Sequence, residues 1–148
     1  AKGKDPLAQR GPGFQPEEGR SEGTYTNFAS LDDRLDGFHY WFMFLKFGIC
    51  RATSDAAHEV REGRINREKA IELIQKYDGE FPWKYFDYYL NYTNTTEVQF
   101  WEIAKKYVNE EVWEPIGKNQ WRLRDKEIDK ILEIPVKKEV NISKVTTV

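Results

Sequence analysis

The chain has 148 residues, of which 39% are hydrophobic and 32% charged, enough for one ordinary domain and too polar for a membrane protein. Its 23 basic and 25 acidic residues give a net charge of −2, which disfavours nucleic acid as a partner. One cysteine and two histidines cannot supply an internal disulfide or a Cys/His zinc site. We therefore expect a reducing, cytoplasmic environment and no metal centre.

The first 24 residues are crowded with glycines and prolines, which neither a helix nor a central strand tolerates. They predict an irregular arm over 1–24. The most apolar run, 38–50, is shorter than the roughly 20 residues needed to span a bilayer. We expect it to be a buried helix and expect no membrane span.

A first helix is predicted over 31–47, with Ser30 as its N-cap and Lys46 and Gly48 suiting its C-terminal end. Apolar residues recur along it at helical spacing: Leu31, Leu35, Phe38, Phe42 and Leu45. Such a stripe, apolar on nearly every side in its second half, is typical of a central core helix or a subunit contact.

Four shorter helices and a hairpin are expected to follow. The helices are predicted over 55–62 after a Thr53 or Ser54 cap, 67–77 after Asn66, 83–91 after Pro82, and 96–108. Alternating residues on either side of a Gly117–Asn119 turn predict a small β-hairpin over 113–124. The predicted fold is mainly α, with about five short-to-medium helices and this hairpin in a domain over 25–124.

The remaining residues, 125–148, are expected to form a polar tail. Within it the sequence weakly favours a helix over 125–133 and an alternation around Val140 and Ile142.

The segment before the second helix is the densest candidate site. It places Arg51 and the hydroxyls of Thr53 and Ser54 where free backbone N–H groups attract anions. A phosphate or carboxylate could bind there. In the structural alternative, Thr53 or Ser54 caps the helix and Arg51 pairs with Asp55 or Glu59.

Cys50 with His39 or His58 could form a thiolate pair, but the sequence shows no third, orienting group. A buried inert thiol and structural histidines are the favoured interpretation. Likewise, the aspartates of the first helix, Asp32, Asp33 and Asp36, either hold nucleotide-bound Mg²⁺ or complement the helix dipole without a metal.

Several motifs of autonomous nucleotide enzymes and hydrolases are missing from the sequence. It has no Walker-type phosphate loop, dinucleotide fingerprint, His-Glu-x-x-His or Gly-x-Ser-x-Gly. We therefore do not expect the chain to act alone on a nucleotide.

Three collinear stretches, 23–40, 45–64 and 76–82, include the segments Ala-Ser-Leu-Asp-Asp-Arg-Leu-Asp-Gly and Cys-Arg-Ala-Thr-Ser-Asp. Over roughly residues 20–124 they resemble the C-terminal part of the N-acetyl sugar amidotransferases of bacterial lipopolysaccharide and O-antigen biosynthesis.

This resemblance implies an ATP-pyrophosphatase (PP-loop) α/β domain that activates a sugar-linked acetamido group as an adenylate. Ammonia from a partner glutaminase then converts it to an acetamidino group. ATP and Mg²⁺ would serve the full-length enzyme. This chain lacks the Ser-Gly-Gly-rich ATP loop and the cysteine cluster expected near the family's N-terminus. It is therefore expected to be the C-terminal helical portion of a larger enzyme, inactive without an upstream nucleotide-binding domain.

The resemblance also implies a sugar-nucleotide site, although it identifies no catalytic residue. The residues expected to face the sugar nucleotide are Arg51, Ser54, Asp55, Lys46 and His39. The rival hypothesis is a noncatalytic helical interaction module whose aromatic stretch, Trp41–Phe47, docks a partner protein.

Overall fold

The computed structural model describes residues 18–135. Its helices are α1 Asp36–Phe47, α2 Arg51–Arg61, α3 Arg67–Tyr77, α4 Phe86–Thr93 and α5 Glu97–Lys106, with a 3₁₀ turn at Trp83–Tyr85. Its strands are β1 Trp113–Gly117, β2 Gln120–Leu123 and β3 Ile131–Glu133. The mainly α class is confirmed. Most of the predicted arm and the alternation around Val140 and Ile142 lie outside the described residues.

Aromatic rings form the centre of the core. Phe38 and Trp41 of α1 pack on Phe81, with the Trp41 and Phe81 centroids 4.9 Å apart and nearly perpendicular. Phe100 and Trp101 of α5 join the same cluster. Edge-to-face pairs of this kind add about 0.5–1.5 kcal/mol each beyond the area they bury. Of the predicted apolar stripe, Phe38 and Leu45 are buried and Phe42 packs against the core, whereas Leu31 is exposed and lies before α1.

The three strands form an antiparallel meander in the order β1-β2-β3. Trp113 lies opposite Leu123, and Trp121 lies opposite Leu132. These four side chains are buried against the helices, and Trp113 contacts the Phe44 ring at a centroid distance of 5.0 Å. The predicted hairpin is confirmed, and a third strand extends it.

The start of α1 differs from the prediction. The helix begins at Asp36 rather than at residue 31, its N-cap is Leu35, and no side chain caps it. Ser30 has a positive φ of 55° and its hydroxyl donates to the Asp36 carboxylate. Asp33 accepts the Leu35 N–H at 2.7 Å, which forms a turn ahead of the helix.

Later helix boundaries shift by smaller amounts. The predicted α3 range, 67–77, and its Asn66 cap are confirmed, with the Asn66 side chain accepting the Lys69 N–H. The predicted 83–91 helix divides into the 3₁₀ turn and α4. The helix predicted over 96–108 is α5, which begins after a Thr96 capping box and ends at Lys106.

The helix predicted over 125–133 is wrong, because residues 131–133 form β3. Leu132 and Ile134 are buried in the same core as Trp121 and Leu123. The amide of Ile134 donates to the Asn119 carbonyl at 3.0 Å. Cross-strand pairing and burial of these two apolar side chains outweigh the weak local helix propensity.

Candidate functional site

The N-terminus of α2, the predicted anion site, is filled by a carboxylate of the chain itself. Asp78, at the end of α3, accepts the Cys50 N–H at 2.9 Å and the Thr53 N–H at 3.2 Å. The Thr53 hydroxyl also donates to it at 2.5 Å. The helix predicted over 55–62 therefore begins one turn earlier, at Arg51, because its cap comes from α3 rather than from Thr53 or Ser54.

Asp78 is 1% exposed, and burial raises the pKa of its carboxyl even though several hydrogen bonds favour the charged form. A buried carboxylate is tolerated when donors surround it. The donors at the start of α2 provide this environment, so the interaction holds α2 against α3.

Arg51 pairs with Asp36 at 3.0 Å rather than with Asp55 or Glu59. Its guanidinium also lies 3.9 Å from the centroid of the Tyr40 ring. Only 14% of its side chain is exposed. Arg51 thus connects the start of α2 to the first turns of α1. The ion pair and the stacking on the Tyr40 ring together fix the orientation of its guanidinium.

Asp55 binds the end of the arm and the residues that follow it. It accepts the Thr24 hydroxyl at 2.5 Å and the Thr26 hydroxyl at 3.2 Å, and Thr24 is fully buried. One turn along α2, Glu59 accepts the Tyr25 hydroxyl at 2.8 Å. These carboxylates hold residues 24–26 of the chain against α2.

A second attachment of the arm involves Arg20 and Glu80. Both terminal nitrogens of Arg20 donate to Glu80, at 2.6 and 2.7 Å, and the Gly23 N–H donates to the same carboxylate. Hydrogen bonding to Arg20 lowers the pKa of the Glu80 carboxyl. Because bidentate arginine–carboxylate pairs fix geometry as well as charge, the position of residues 20–23 is well defined.

The other three residues predicted to bind the sugar nucleotide, Ser54, Lys46 and His39, lie on the surface. Ser54 is exposed on α2. Lys46 is exposed at the end of α1, with its ammonium 5.3 Å from the centroid of the Phe47 ring. His39 is exposed and lines an apolar groove that also contains Phe42 and Tyr107. The structure therefore places Arg51 and Asp55 on one helix, whereas His39 belongs to a different surface.

Cys50 has the surroundings of an inert thiol. It is buried, and its Sγ donates to the Tyr40 carbonyl at 3.3 Å. Burial, with a smaller effect of the nearby Asp78 charge, raises the pKa of the thiol to about 11. His39 and His58 are both exposed, and His58 contacts Arg61 at 3.0 Å. A protonated thiol without a buried base does not act as a nucleophile.

A polar cleft lies between the arm, the residues preceding α1 and the 3₁₀ turn, and we refer to it as the arm cleft. Its volume is about 80 Å³. The polar and aromatic residues around it are Arg20, Ser21, Glu22, Ser30, Asp33, Arg34, Lys84 and Tyr85. Sequence reasoning missed it, because its residues come from three separate segments. The signal available was the pair of cations beside aromatic and acidic neighbours, at Arg34 and Lys84.

Within residues 18–135, no three His, Cys, Asp or Glu side chains are grouped so as to hold a metal ion. In the same part of the chain, no helix has both the length and the apolar character needed to span a membrane.

Comparison of the sequence with known proteins identifies the family of the chain. No curated protein matches the chain. The sequence model of one family, described as LPS biosynthesis protein WbpG-like, C-terminal domain, matches residues 22–126. The match spans the arm contacts made by residues 23–26, all five helices and the first two strands. The chain therefore belongs to the WbpG-like C-terminal domain family of LPS biosynthesis proteins.

Proposed function

We propose that the chain is the C-terminal domain of an ATP-dependent N-acetyl sugar amidotransferase. In this reaction the acetamido oxygen of the sugar attacks the α-phosphate of ATP and pyrophosphate leaves. Ammonia then adds to the activated carbon, and AMP departs with the former amide oxygen. The product carries an acetamidino group. An upstream PP-loop domain would bind ATP and Mg²⁺, and a glutaminase subunit would release the ammonia.

The observation that carries this proposal is the family match over residues 22–126. That range contains all three stretches, 23–40, 45–64 and 76–82, on which the resemblance to the amidotransferases rests. A protein of LPS biosynthesis handles sugars, and the finer assignment of amidotransfer rests on that resemblance.

The structure supports a substrate-binding rather than a nucleophilic role for this domain. Its cysteine is buried with a raised pKa, and its two histidines lie on the surface. Residues 20–24 are attached to α2 and to Glu80, so they form a fixed wall of the arm cleft. Substrate contact by Arg51, Ser54 and Asp55, with Lys46 and His39, stays a prediction.

The reaction can be tested on the protein that carries this domain, with UDP-N-acetylated sugar, ATP·Mg²⁺ and an ammonium salt. Mass spectrometry should detect replacement of the amide oxygen by an imino NH, with AMP and pyrophosphate released in equal amounts. The matched control omits ammonium and should yield no amidine. ATP hydrolysis without any change in the sugar, or no reaction with any N-acetylated sugar nucleotide, would contradict the proposal.

The interaction-module alternative loses its main feature in this structure. Three residues of the aromatic stretch, Trp41, Phe44 and Leu45, are buried in the core. Phe47 is 55% exposed at the end of α1. Because these side chains fill the core, Phe47 is the exposed apolar side chain that this stretch offers to a partner protein.

A further inference from the structure

We propose that a cleft between Trp83 and β3 binds one uncharged ring of a saccharide. We refer to it as the Trp83 cleft. The residues that line it come from the segment before α4, from α5 and from β3, and those used below are Phe81, Trp83, Trp101, Lys130, Ile131 and Glu133. It shares no residue with the arm cleft or with the site predicted from sequence. The choice of ligand comes from the chemistry of these side chains and does not depend on the proposed amidotransfer.

The first observation is an exposed indole ring. Trp83 is 59% exposed, whereas the other four tryptophans of the chain are at most 6% exposed. Its ring makes edge-to-face contacts with Phe81 and Phe86, at centroid distances of 4.5 and 5.7 Å. These contacts hold the ring in one orientation. A fixed aromatic surface suits the apolar C–H face of a sugar ring, because little side-chain freedom is lost on binding.

The second observation is a carboxylate that has no partner in the part of the chain that the structure describes. Glu133 is exposed on β3 and lines the cleft, and within residues 18–135 its carboxylate makes neither a hydrogen bond nor an ion pair. A carboxylate only accepts hydrogen bonds, so its partner must be a donor. An apolar peptide or lipid over the cleft would bury this charge without a donor, which is costly. Sugar hydroxyls supply donors to Glu133 while the C–H face covers the indole.

The third observation is the charge of the cleft. Lys130 is half-buried, its ammonium donates to the Gln75 carbonyl at 2.6 Å, and the Asp78 and Glu80 carboxylates stabilise its charge. An anionic ligand therefore meets a cation that is already matched and a carboxylate that repels it. A cationic ligand is attracted by Glu133 but repelled by Lys130. This arrangement favours a ligand without net charge.

The size of the cleft limits what it can enclose. Its volume of about 180 Å³ is below the roughly 300–1,000 Å³ of a site that surrounds a whole drug-sized ligand. The cleft therefore suits one sugar ring. The rest of a longer saccharide would extend into solvent.

The test is a titration of the ¹⁵N-labelled chain, followed by NMR, with glucose, protonated glucosamine and glucuronate in separate experiments. These three probes share one ring and differ in charge. We expect glucose to shift the indole N–H of Trp83 and the backbone amides of Ile131 and Glu133. It should also bind more tightly than the cationic and the anionic probe.

Two substitutions and their matched controls locate the site. Glu133→Gln and Trp83→Ala should each weaken glucose binding about tenfold or more. Glu114→Gln changes an exposed carboxylate on β1, and Tyr92→Ala removes a 70% exposed ring from the other end of α4. Both controls should leave the affinity unchanged. Because Glu133 is exposed and unpaired, Glu133→Gln tests the site even if Trp83→Ala does not fold.

Four results would overturn the inference. These are no shift of the Trp83 indole with glucose, binding of a charged probe at least as tight as that of glucose, unchanged affinity in Glu133→Gln, and shifts of the same resonances on dilution without sugar. The last result would show that a second copy of the chain covers the cleft. The amidine assay needs ATP and ammonia and this titration needs neither, so a failure of one proposal is distinguishable from a failure of the other.

Discussion

Removing the Asp78 carboxylate should destabilise the domain strongly. In Asp78→Ala, the N–H groups of Cys50 and Thr53 and the Thr53 hydroxyl lose their acceptor. Loss of a helix cap costs about 1–2 kcal/mol, and each buried donor left unpaired about 1–3 kcal/mol. Relief of the buried charge offsets part of this cost. We expect a net loss of about 3 kcal/mol in the free energy of unfolding.

Two further variants separate the cap from the charge. Asp78→Asn keeps one oxygen acceptor and loses the charge, so we expect roughly half the loss seen with alanine. Asp32→Ala removes an exposed aspartate and should change stability by less than about 0.5 kcal/mol. Urea unfolding followed by far-UV circular dichroism measures all three, with the slope m compared to detect a changed denatured state.

Amide hydrogen exchange gives an independent readout at the start of α2. In Asp78→Ala the amides of Cys50 and Thr53 should exchange faster than those in the middle of the helix. If Asp78→Ala cost no more than Asp32→Ala, or if these amides stayed protected, the assignment of Asp78 as the cap of α2 would be refuted.

Three other perturbations test the packing and the arm. Gly79→Ala should lower the free energy of unfolding in urea by about 2–4 kcal/mol, because the φ of Gly79 is +76° and an added Cβ would overlap an aromatic ring of α1. Gly63→Ala, at φ +70° in open space, should lower it by only about 1–2 kcal/mol. Leu132→Ala should lower the free energy of unfolding by about 2–4 kcal/mol, because Leu132 is buried. Ile131 is half-exposed, so Ile131→Ala should lower it clearly less. Equal losses in the two variants would show that β3 does not contribute to the core. Glu80→Gln should cost about 0.5–1 kcal/mol at pH 7, since its arginine partner lowers the pKa of the carboxyl below the ordinary 4.5. Because that contribution is lost as the pH falls through the lowered pKa, pH-dependent thermal unfolding should show wild type and Glu80→Gln converging in acid; a constant difference would contradict the pairing.

Local signals in the sequence were sufficient for the elements whose ends are defined by neighbouring residues. The Asn66 cap and the 3.6-residue periodicity defined α3, and the turn between alternating segments defined the first two strands. In these cases the chemistry that ends the element lies within a few residues of it. The start predicted at residue 96 for the last helix likewise lies at its local cap, Thr96.

Other features depend on contacts between residues far apart in the sequence, which local signals do not predict. The start of α2 depends on Asp78, which lies 25 residues after Thr53, and β3 depends on pairing with β2. The sequence offered Asp55 and Glu59 as ion-pair partners of Arg51, but its partner Asp36 comes from another helix. The arm cleft combines three distant segments, so no single stretch of sequence carried its pattern.

The most direct measurement of the central claim is calorimetric titration of the chain with UDP-N-acetylated sugars and, separately, with ATP·Mg²⁺. Under the proposed function, in which an upstream domain would bind ATP, we expect the sugar nucleotide to bind to this chain and ATP·Mg²⁺ not to bind. Binding of ATP·Mg²⁺ without the sugar nucleotide, or of neither ligand, would contradict the assignment of this domain to the sugar-binding side of the reaction.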